Sequence, residues 1–161
     1  MSSAIGFVFL IWLCAGAACD AIYRKCFNWL VISGFGLALG TVVLAPETHP
    51  IGIELKESLI GGLLAFGTLL FFYMLGLMGA GDVKFAAVLG AWVGWKLLLP
   101  VWALSCAFAL VHGLIARYDH KYIFMNFIHV NKEEMNIKRK FIPYVTYMSL
   151  ATIIVLMLKI N

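Results

Sequence analysis

The sequence is poor in charge: only 12% of its 161 residues are Asp, Glu, Lys or Arg, whereas 63% are hydrophobic. Soluble domains have about 25% charged and about 45–50% apolar residues. A soluble chain of this length has too little interior to bury so much apolar surface, so the composition predicts a membrane protein surrounded by membrane lipid. The formal net charge of +4 is small, and nucleic acid is therefore not expected as a partner.

The sequence also lacks the cysteine spacing of a metal site and the basic start of a secretory signal. The four cysteines form no CxxC pair and no spacing typical of zinc ligands, so we expect no metal site. No Lys or Arg precedes the first apolar run, at residues 4–19, and the basic start of a secretory signal is therefore missing. We predict that this run is a retained helix. Because it is short for a membrane span, we expect it to continue by a turn through Asp20.

Six apolar runs divide the chain and predict an all-α, polytopic membrane helix bundle that forms one domain over residues 1–161. The runs cover residues 4–19, 29–45, 58–78, 83–95, 101–116 and 143–158. Lys96 and Pro100 interrupt the apolar sequence between the fourth and fifth runs, so we predict two helices joined by a tight turn around residues 96–100. One long helix with Lys96 reaching the membrane surface is the alternative.

The distribution of Lys and Arg selects between these alternatives. With six transmembrane helices and both termini outside, nine of the twelve basic residues lie on the cytoplasmic side, including those of the polar segment 117–142. With five spans the basic cluster in that segment would lie outside, against the positive-inside rule, so we predict six. In this topology Asp20 ends an inward-going span and Asp82 begins an outward-going one. Both acids therefore reach the cytoplasmic face.

These two carboxylates are the candidate catalytic residues. Each stands where an apolar run ends or begins, and a charge is costly there unless it lies at the membrane edge or in a site. Two close carboxylates do not both ionise readily, so one can act as general base and the other as general acid on one water that attacks an amide. Such chemistry needs no metal and no cofactor. Gly79 and Gly81 lack a Cβ and could let a substrate backbone approach Asp82.

Structural explanations of the same residues stay open on this reasoning. Asp82 after two glycines is typical of a turn followed by a helix N-cap, with a helix that starts near Val83. Asp20 and Arg24 have the spacing of an ion pair on a helix surface. Two other function classes also fit the acids: a proton- or ion-coupled transport subunit that uses them as relay groups, and a non-catalytic anchor in a secretion assembly.

A family resemblance favours catalysis. The sequence GAGDVKFAAVLGAWVG at residues 79–94 resembles the signature of the type IV prepilin peptidases, which are membrane aspartyl proteases of the GxGD type. Residues 20–30 resemble the family's other acidic segment, with Phe27 where the family often has proline. The resemblance implies that Asp20 and Asp82 are the catalytic aspartates. It also implies that further residues shape the site or bind substrate: Gly79, Gly81, Lys84, Arg24 and Asn28.

The resemblance also implies the substrate and the location. The family's aspartic-type endopeptidases cut prepilins or pseudopilins, between a basic leader and an apolar helix, at the cytoplasmic face of the bacterial inner membrane. Larger members carry a cysteine-containing insertion and also methylate the new N-terminus. Here only residues 20–28 separate the first two runs, so the chain resembles the compact, peptidase-only branch that serves tight-adherence (Flp-type) pili. An archaeal preflagellin peptidase shares the motif and stays an alternative, and the oligomeric state is open.

Overall fold

A computed structural model describes residues 3–23, 25–126 and 144–160, with side chains over 4–23, 25–115 and 144–159. This part of the chain is all-helical, as predicted. Its five α-helices are α1 (Ser3–Tyr23), α2 (Asn28–Leu44), α3 (Leu55–Met74), α4 (Ala80–Asn126) and α5 (Tyr144–Ile160), with a short 3-10 turn at Pro46–Thr48. Arg24 and residues 127–142 of the polar segment lie outside the described residues. Residues 117–126 of that segment belong to α4, and their side chains are not described.

The helices have the length and surface of a membrane protein. Three segments among the described residues are long and apolar enough to cross a bilayer, Ala4–Tyr23, Leu55–Met74 and Ala80–Ile115, and α2 and α5 are shorter apolar helices. Large apolar side chains face outward on several helices, including Ile11 (69% exposed) and Leu63 (71% exposed). Such a surface is a liability in water but is well solvated by lipid. The helices therefore form a membrane helix bundle.

The helix α4 consists of two halves that meet at Gly94, whose φ of 70° and ψ of 169° lie outside the helical region. The predicted turn around residues 96–100 is wrong, since both Lys96 and Pro100 lie in helix. Lys96 forms an ion pair with Glu57 on α3 at 2.5 Å, and Pro100 removes one backbone hydrogen bond from the helix. The break occurs at Gly94 because glycine adopts a positive φ without a Cβ clash.

The second half of α4 runs antiparallel to α5. Its beginning, next to Gly94, lines a cavity of about 280 Å³ together with Lys159, near the end of α5. Further along, the hydroxyl of Ser105 lies 3.3 Å from the hydroxyl of Tyr144, at the beginning of α5. The beginning of α5 in turn contacts Asp20, at the end of α1. The second half of α4 therefore runs toward the end of the bundle where Asp20 lies.

The helix α3 and the first half of α4 pack through small residues. Gly61 and Gly90 lie against each other, and a Cβ on either one would overlap the carbonyl oxygen of the other. The hydroxyl of Ser58 donates a hydrogen bond to the carbonyl of Ala91 at 2.7 Å. In lipid there is no hydrophobic drive between helices, so close backbone packing and interhelical hydrogen bonds hold such pairs together.

Buried aromatic rings hold α1 on the first half of α4. Trp12 stacks on Phe85 with 4.8 Å between ring centroids, and Phe9 stacks on Trp92 at 4.6 Å. Trp12 also donates its Nε1–H to the carbonyl of Leu30 on α2 at 2.9 Å. These centroid distances are within the range that aromatic pairs prefer. The rings therefore fix the position of α4 relative to α1 at two levels.

Candidate active site

Asp82 lies in the first turn of α4, and the start of this helix holds its carboxylate. The Oδ2 atom accepts a hydrogen bond from the backbone N–H of Gly79 at 3.1 Å. The carbonyl of Gly79 in turn accepts the backbone N–H groups of Asp82 and Val83. Gly79 is thus the N-cap, and Asp82 is the third helical residue, which reaches back as the acid of a capping box does. The helix starts at Ala80, before the Val83 predicted from the sequence, and its positive end faces the carboxylate.

Asp20 lies in the last turn of α1, and a different helix holds its carboxylate. Its Oδ2 atom accepts a hydrogen bond from the backbone N–H of Thr146 at 3.2 Å and lies 3.4 Å from the Thr146 hydroxyl. Thr146 is the third residue of α5, so its N–H is one of the first four that have no partner within the helix. The Asp20 carboxylate therefore meets the positive end of α5. The partner predicted for it, Arg24, lies outside the described residues.

The packing of α1 against α4 brings the two acids to one level. Gly16, one turn before Asp20, lies against the ring of Phe85, about one turn after Asp82. A Cβ at Gly16 would overlap this ring, so the ring of Phe85 fills the space that Gly16 leaves open on α1. Asp20 and Asp82 therefore lie at the same end of the α1–α4 interface, each about one turn from the same contact.

Cys26, between α1 and α2, lies near both acids. Burial raises the pKa of its thiol to about 11, and the negative charges of Asp82 and then Asp20 act in the same direction. Because electrostatic interactions fall off with distance, two carboxylates that both affect this thiol lie close to it. A Cβ on Gly81 would come within 3.0 Å of the Cβ of Cys26, so the missing side chain of Gly81 makes room for the segment that carries Cys26.

Two further predicted site residues contact each other at the surface. The Nζ atom of Lys84 donates a hydrogen bond to Oδ1 of Asn28 at 3.0 Å, which links the start of α4 to the start of α2. Gly79 is more open than Gly81: of the residues that the structure describes, only Asp82 would lie within 4 Å of a Cβ on Gly79, with its carboxylate at 3.4 Å. Of the two glycines, Gly79 therefore has the space for an approaching chain.

The chemistry available at this end of the bundle is that of two carboxylates in different surroundings. Asp20 is held by a neighbouring helix, whereas Asp82 is held by its own helix. Carboxylates in unlike surroundings can take different protonation states, and one can then act as acid while the other acts as base. Among the residues that the structure describes, no three His, Cys, Asp or Glu side chains cluster as metal ligands.

The site contains two residues that sequence reasoning does not identify, Thr146 and Cys26. Thr146 contacts Asp20 across 126 positions of sequence and lies in an apolar run with no motif around it. Cys26 does carry a signal, because it lies inside the segment 20–30 that resembles the acidic segment of the family. Its thiol is weakly ionised at neutral pH, so it lacks the thiolate that a nucleophilic cysteine needs.

The fold and the site together define a helical membrane protein with two carboxylates at one end of a helix–helix interface. A family model described as the type IV leader peptidase family matches residues 7–114, which is two thirds of the 161-residue chain. The chain belongs to the type IV leader peptidase family, as the resemblance at residues 79–94 implies. Membership makes it a peptidase with prepilin-type substrates in general. No curated protein and no solved structure matches the chain.

Proposed function

We propose that this protein is an aspartic endopeptidase that removes the leader peptide from type IV-like prepilins or pseudopilins, with Asp20 and Asp82 acting on one water. The observation that carries the proposal is the placement of the two carboxylates. They come from different helices and lie at one end of the α1–α4 interface, each about one turn from the contact between Gly16 and Phe85. Family membership supplies the reaction, and the matched residues 7–114 include both acids.

The reaction adds water across a peptide bond. One of the two acids is ionised and accepts a proton from the water while the water oxygen forms a bond to the amide carbon. The second acid is protonated and gives its proton to the carbonyl oxygen. When the tetrahedral intermediate collapses, the carbon–nitrogen bond breaks, and the carboxyl group that took the proton from water gives it to the leaving nitrogen. The other carboxylate takes a proton back from a hydroxyl of the intermediate. Asp20 and Asp82 exchange protonation states over this cycle, so both are required. The open side of Gly79 is the side from which the substrate backbone reaches Asp82.

The site faces the cytoplasm in this proposal. In this proposal α1, α2, α3, each half of α4, and α5 cross the membrane once. The change of direction at Gly94 supports counting the two halves of α4 as separate crossings. With the Asp20 end inside, Lys84 lies at the cytoplasmic face, whereas Lys96 and Lys159 lie outside with both termini. This orientation agrees with the positive-inside rule for a bacterial inner membrane.

The substrate and the branch follow from the same reasoning. A prepilin presents a basic leader in the cytoplasm and an apolar helix in the bilayer, so its cleavage site reaches this membrane face. Only a short segment, residues 25–27, lies between Arg24 and the start of α2, which leaves little room there for a methyl-donor site. We therefore assign the chain to the compact, peptidase-only branch associated with Flp-type pili.

Co-expression with candidate prepilins tests this function. Asp20→Asn and Asp82→Asn should each reduce leader cleavage by about 100-fold or more, because each removes one partner of the acid–base pair. Cleavage is measured by the mobility shift of the pilin on immunoblots, with equal amounts of each variant in the membrane. Glu54→Gln is the matched control: this exposed acid precedes α3, toward the opposite end of the bundle, and its loss should leave cleavage unchanged.

Two outcomes would count against the proposal. If either Asn variant cleaves at the wild-type rate, that aspartate has no catalytic role. If the wild-type protein cuts no bacterial prepilin but cuts an archaeal preflagellin, the reaction stands and the substrate assignment is wrong.

A further inference from the structure

The start of α5 contributes to the candidate site, although α5 lies outside the range 7–114 that the family model matches. The backbone N–H of Thr146 and its hydroxyl both face Oδ2 of Asp20, at 3.2 and 3.4 Å. The same hydroxyl lies 3.2 Å from the carbonyl oxygen of Ala17, one turn before Asp20 on α1. Thr146 thus contacts two positions of α1 that lie one turn apart, Ala17 and Asp20.

The Thr146 hydroxyl has one proton and two acceptors in reach. When Asp20 is ionised, the hydroxyl can donate to Oδ2. When Asp20 is protonated, the hydroxyl can donate to the carbonyl of Ala17 instead and accept the proton of the carboxylic acid, because a hydroxyl group both donates and accepts. One side chain can therefore bond to both protonation states of Asp20 without moving.

We propose that Thr146 is a positioning residue that keeps the Asp20 carboxyl group in one orientation throughout the acid–base cycle. This inference rests on the proposed function, because only a catalytic Asp20 changes its protonation state in each turnover. Other titratable groups near Asp20 include Asp82 on α4, Cys26 between α1 and α2, and Tyr147 on α5. Thr146 differs from them in its direct contact with the carboxylate.

A purely structural role for Thr146 is the competing explanation. Its hydroxyl would then only hold α5 against α1, through the hydrogen bond to the carbonyl of Ala17. The hydroxyl of Thr152 has such a structural role within α5, where it donates to the carbonyl of Met148 at 2.7 Å. Such a role predicts a loss of stability and no specific loss of turnover. The two roles can therefore be separated by measuring kcat, KM and stability on the same variants.

Thr146→Val removes the hydroxyl and keeps the size of the side chain, the helix and the backbone N–H. We expect kcat for leader cleavage to fall by about tenfold or more, because a hydrogen bond to a charged group is lost, while KM changes little. Thr146→Ser should restore kcat to near the wild-type value. Thr152→Val, which removes a buried threonine hydroxyl from the same helix, should keep the wild-type kcat. Purified protein in detergent and a prepilin-type peptide serve for all four proteins.

A thermal double-mutant cycle tests the contact without any activity. If Thr146 bonds to Asp20, Thr146→Val should lower the unfolding temperature more in the wild-type background than in Asp20→Ala. Equal shifts in both backgrounds would overturn the inference, and so would a Thr146→Val variant with full kcat or a Thr146→Ser variant without rescue. The proposed function fails separately, since it requires that wild-type protein cleaves and that Asp20→Asn does not.

Discussion

The carboxylates of Asp20 and Asp82 both act on a single thiol at Cys26. At the scale of residues, this makes Cys26 a reporter of the site that needs no substrate. Its pKa, about 11, is raised mainly by burial and further by the charges of Asp82 and Asp20. Alkylation requires the thiolate, and its rate at a fixed pH falls as the pKa rises.

Removal of either charge should therefore make Cys26 react faster. In a background with alanine at Cys14, Cys19 and Cys106, we expect Asp82→Asn to speed the alkylation of Cys26 by iodoacetamide about threefold or more near pH 8. Asp20→Asn should give a smaller increase, since its charge has the weaker effect. The rate is measured by mass spectrometry of the intact protein.

The Glu54→Gln variant is again the control, because Glu54 is not among the groups that affect the Cys26 pKa. Unchanged alkylation rates in both aspartate variants would contradict the placement of the two carboxylates beside Cys26.

At the residue scale, the sequence predicts the two acids and does not predict what holds them. The motif at residues 79–82 identifies Asp82 because its glycines and its carboxylate are adjacent in sequence. The structure also shows that Asp82 closes the first turn of α4, so the capping explanation is correct for this side chain, and the proposed catalysis would use the same carboxylate. The bond between Asp20 and Thr146 has no local signal, because it depends on how α5 packs against α1.

At the scale of helices, Gly61 and Gly90 form a close contact between α3 and α4. A methyl group on Gly90 would overlap the carbonyl oxygen of Gly61 and lie 2.9 Å from the Cβ of Ala65. Neither neighbour can move aside easily, because one is backbone and the other is a methyl group on a packed helix. The pair of helices must therefore separate to accept any side chain at this position.

Gly90→Ala should lower the free energy of unfolding by about 1–3 kcal/mol, the usual effect of overpacking. The measurement is thermal or denaturant unfolding of the purified protein in detergent. Gly67→Ala is the control, since a Cβ on Gly67 in α3 would have no atom of the described residues within 4 Å. Equal stability of Gly90→Ala and Gly67→Ala would show that the two helices are not in close contact at Gly90.

The helices are predictable from hydropathy to within a few residues, except at the break inside α4 and at its end, since α4 continues to Asn126 and the fifth apolar run ends at residue 116. Lys96 and Pro100 are the strongest breaking signals in the sequence between the fourth and fifth apolar runs. The break lies instead at Gly94, because Glu57 on another helix neutralises Lys96 and the glycine accepts the positive φ. A rule based on neighbouring residues does not include Glu57, because this partner of Lys96 is 39 positions away in the sequence.

At the scale of the whole molecule, the change of direction at Gly94 decides how many times the chain crosses the membrane. A reversal gives six crossings and places the beginning and the end of the bundle on the same side. A continuous α4 would give five and would place Lys159 on the cytoplasmic side. The position of Lys159 therefore distinguishes the two arrangements.

Single cysteines in a cysteine-free background test this topology. We expect Lys96→Cys and Lys159→Cys to react with a membrane-impermeant maleimide in intact cells, since both positions are exposed and the proposed topology places them outside. Lys25→Cys, also exposed, should react only after the membrane is permeabilised. Protection of Lys159→Cys in intact cells, with Lys96→Cys still labelled, would contradict the sixth crossing.

The contact between Asp20 and Thr146 also has a consequence for the order of biosynthesis. A ribosome makes α1 first and α5 after the other four described helices, so 126 positions of chain are synthesised between the two partners. Until α5 enters the membrane, a nascent chain carries both aspartates but lacks the group that orients one of them. Under the proposed function, the pair of Asp20 and Asp82 is incomplete until α5 has been inserted, so leader cleavage should begin only after that step.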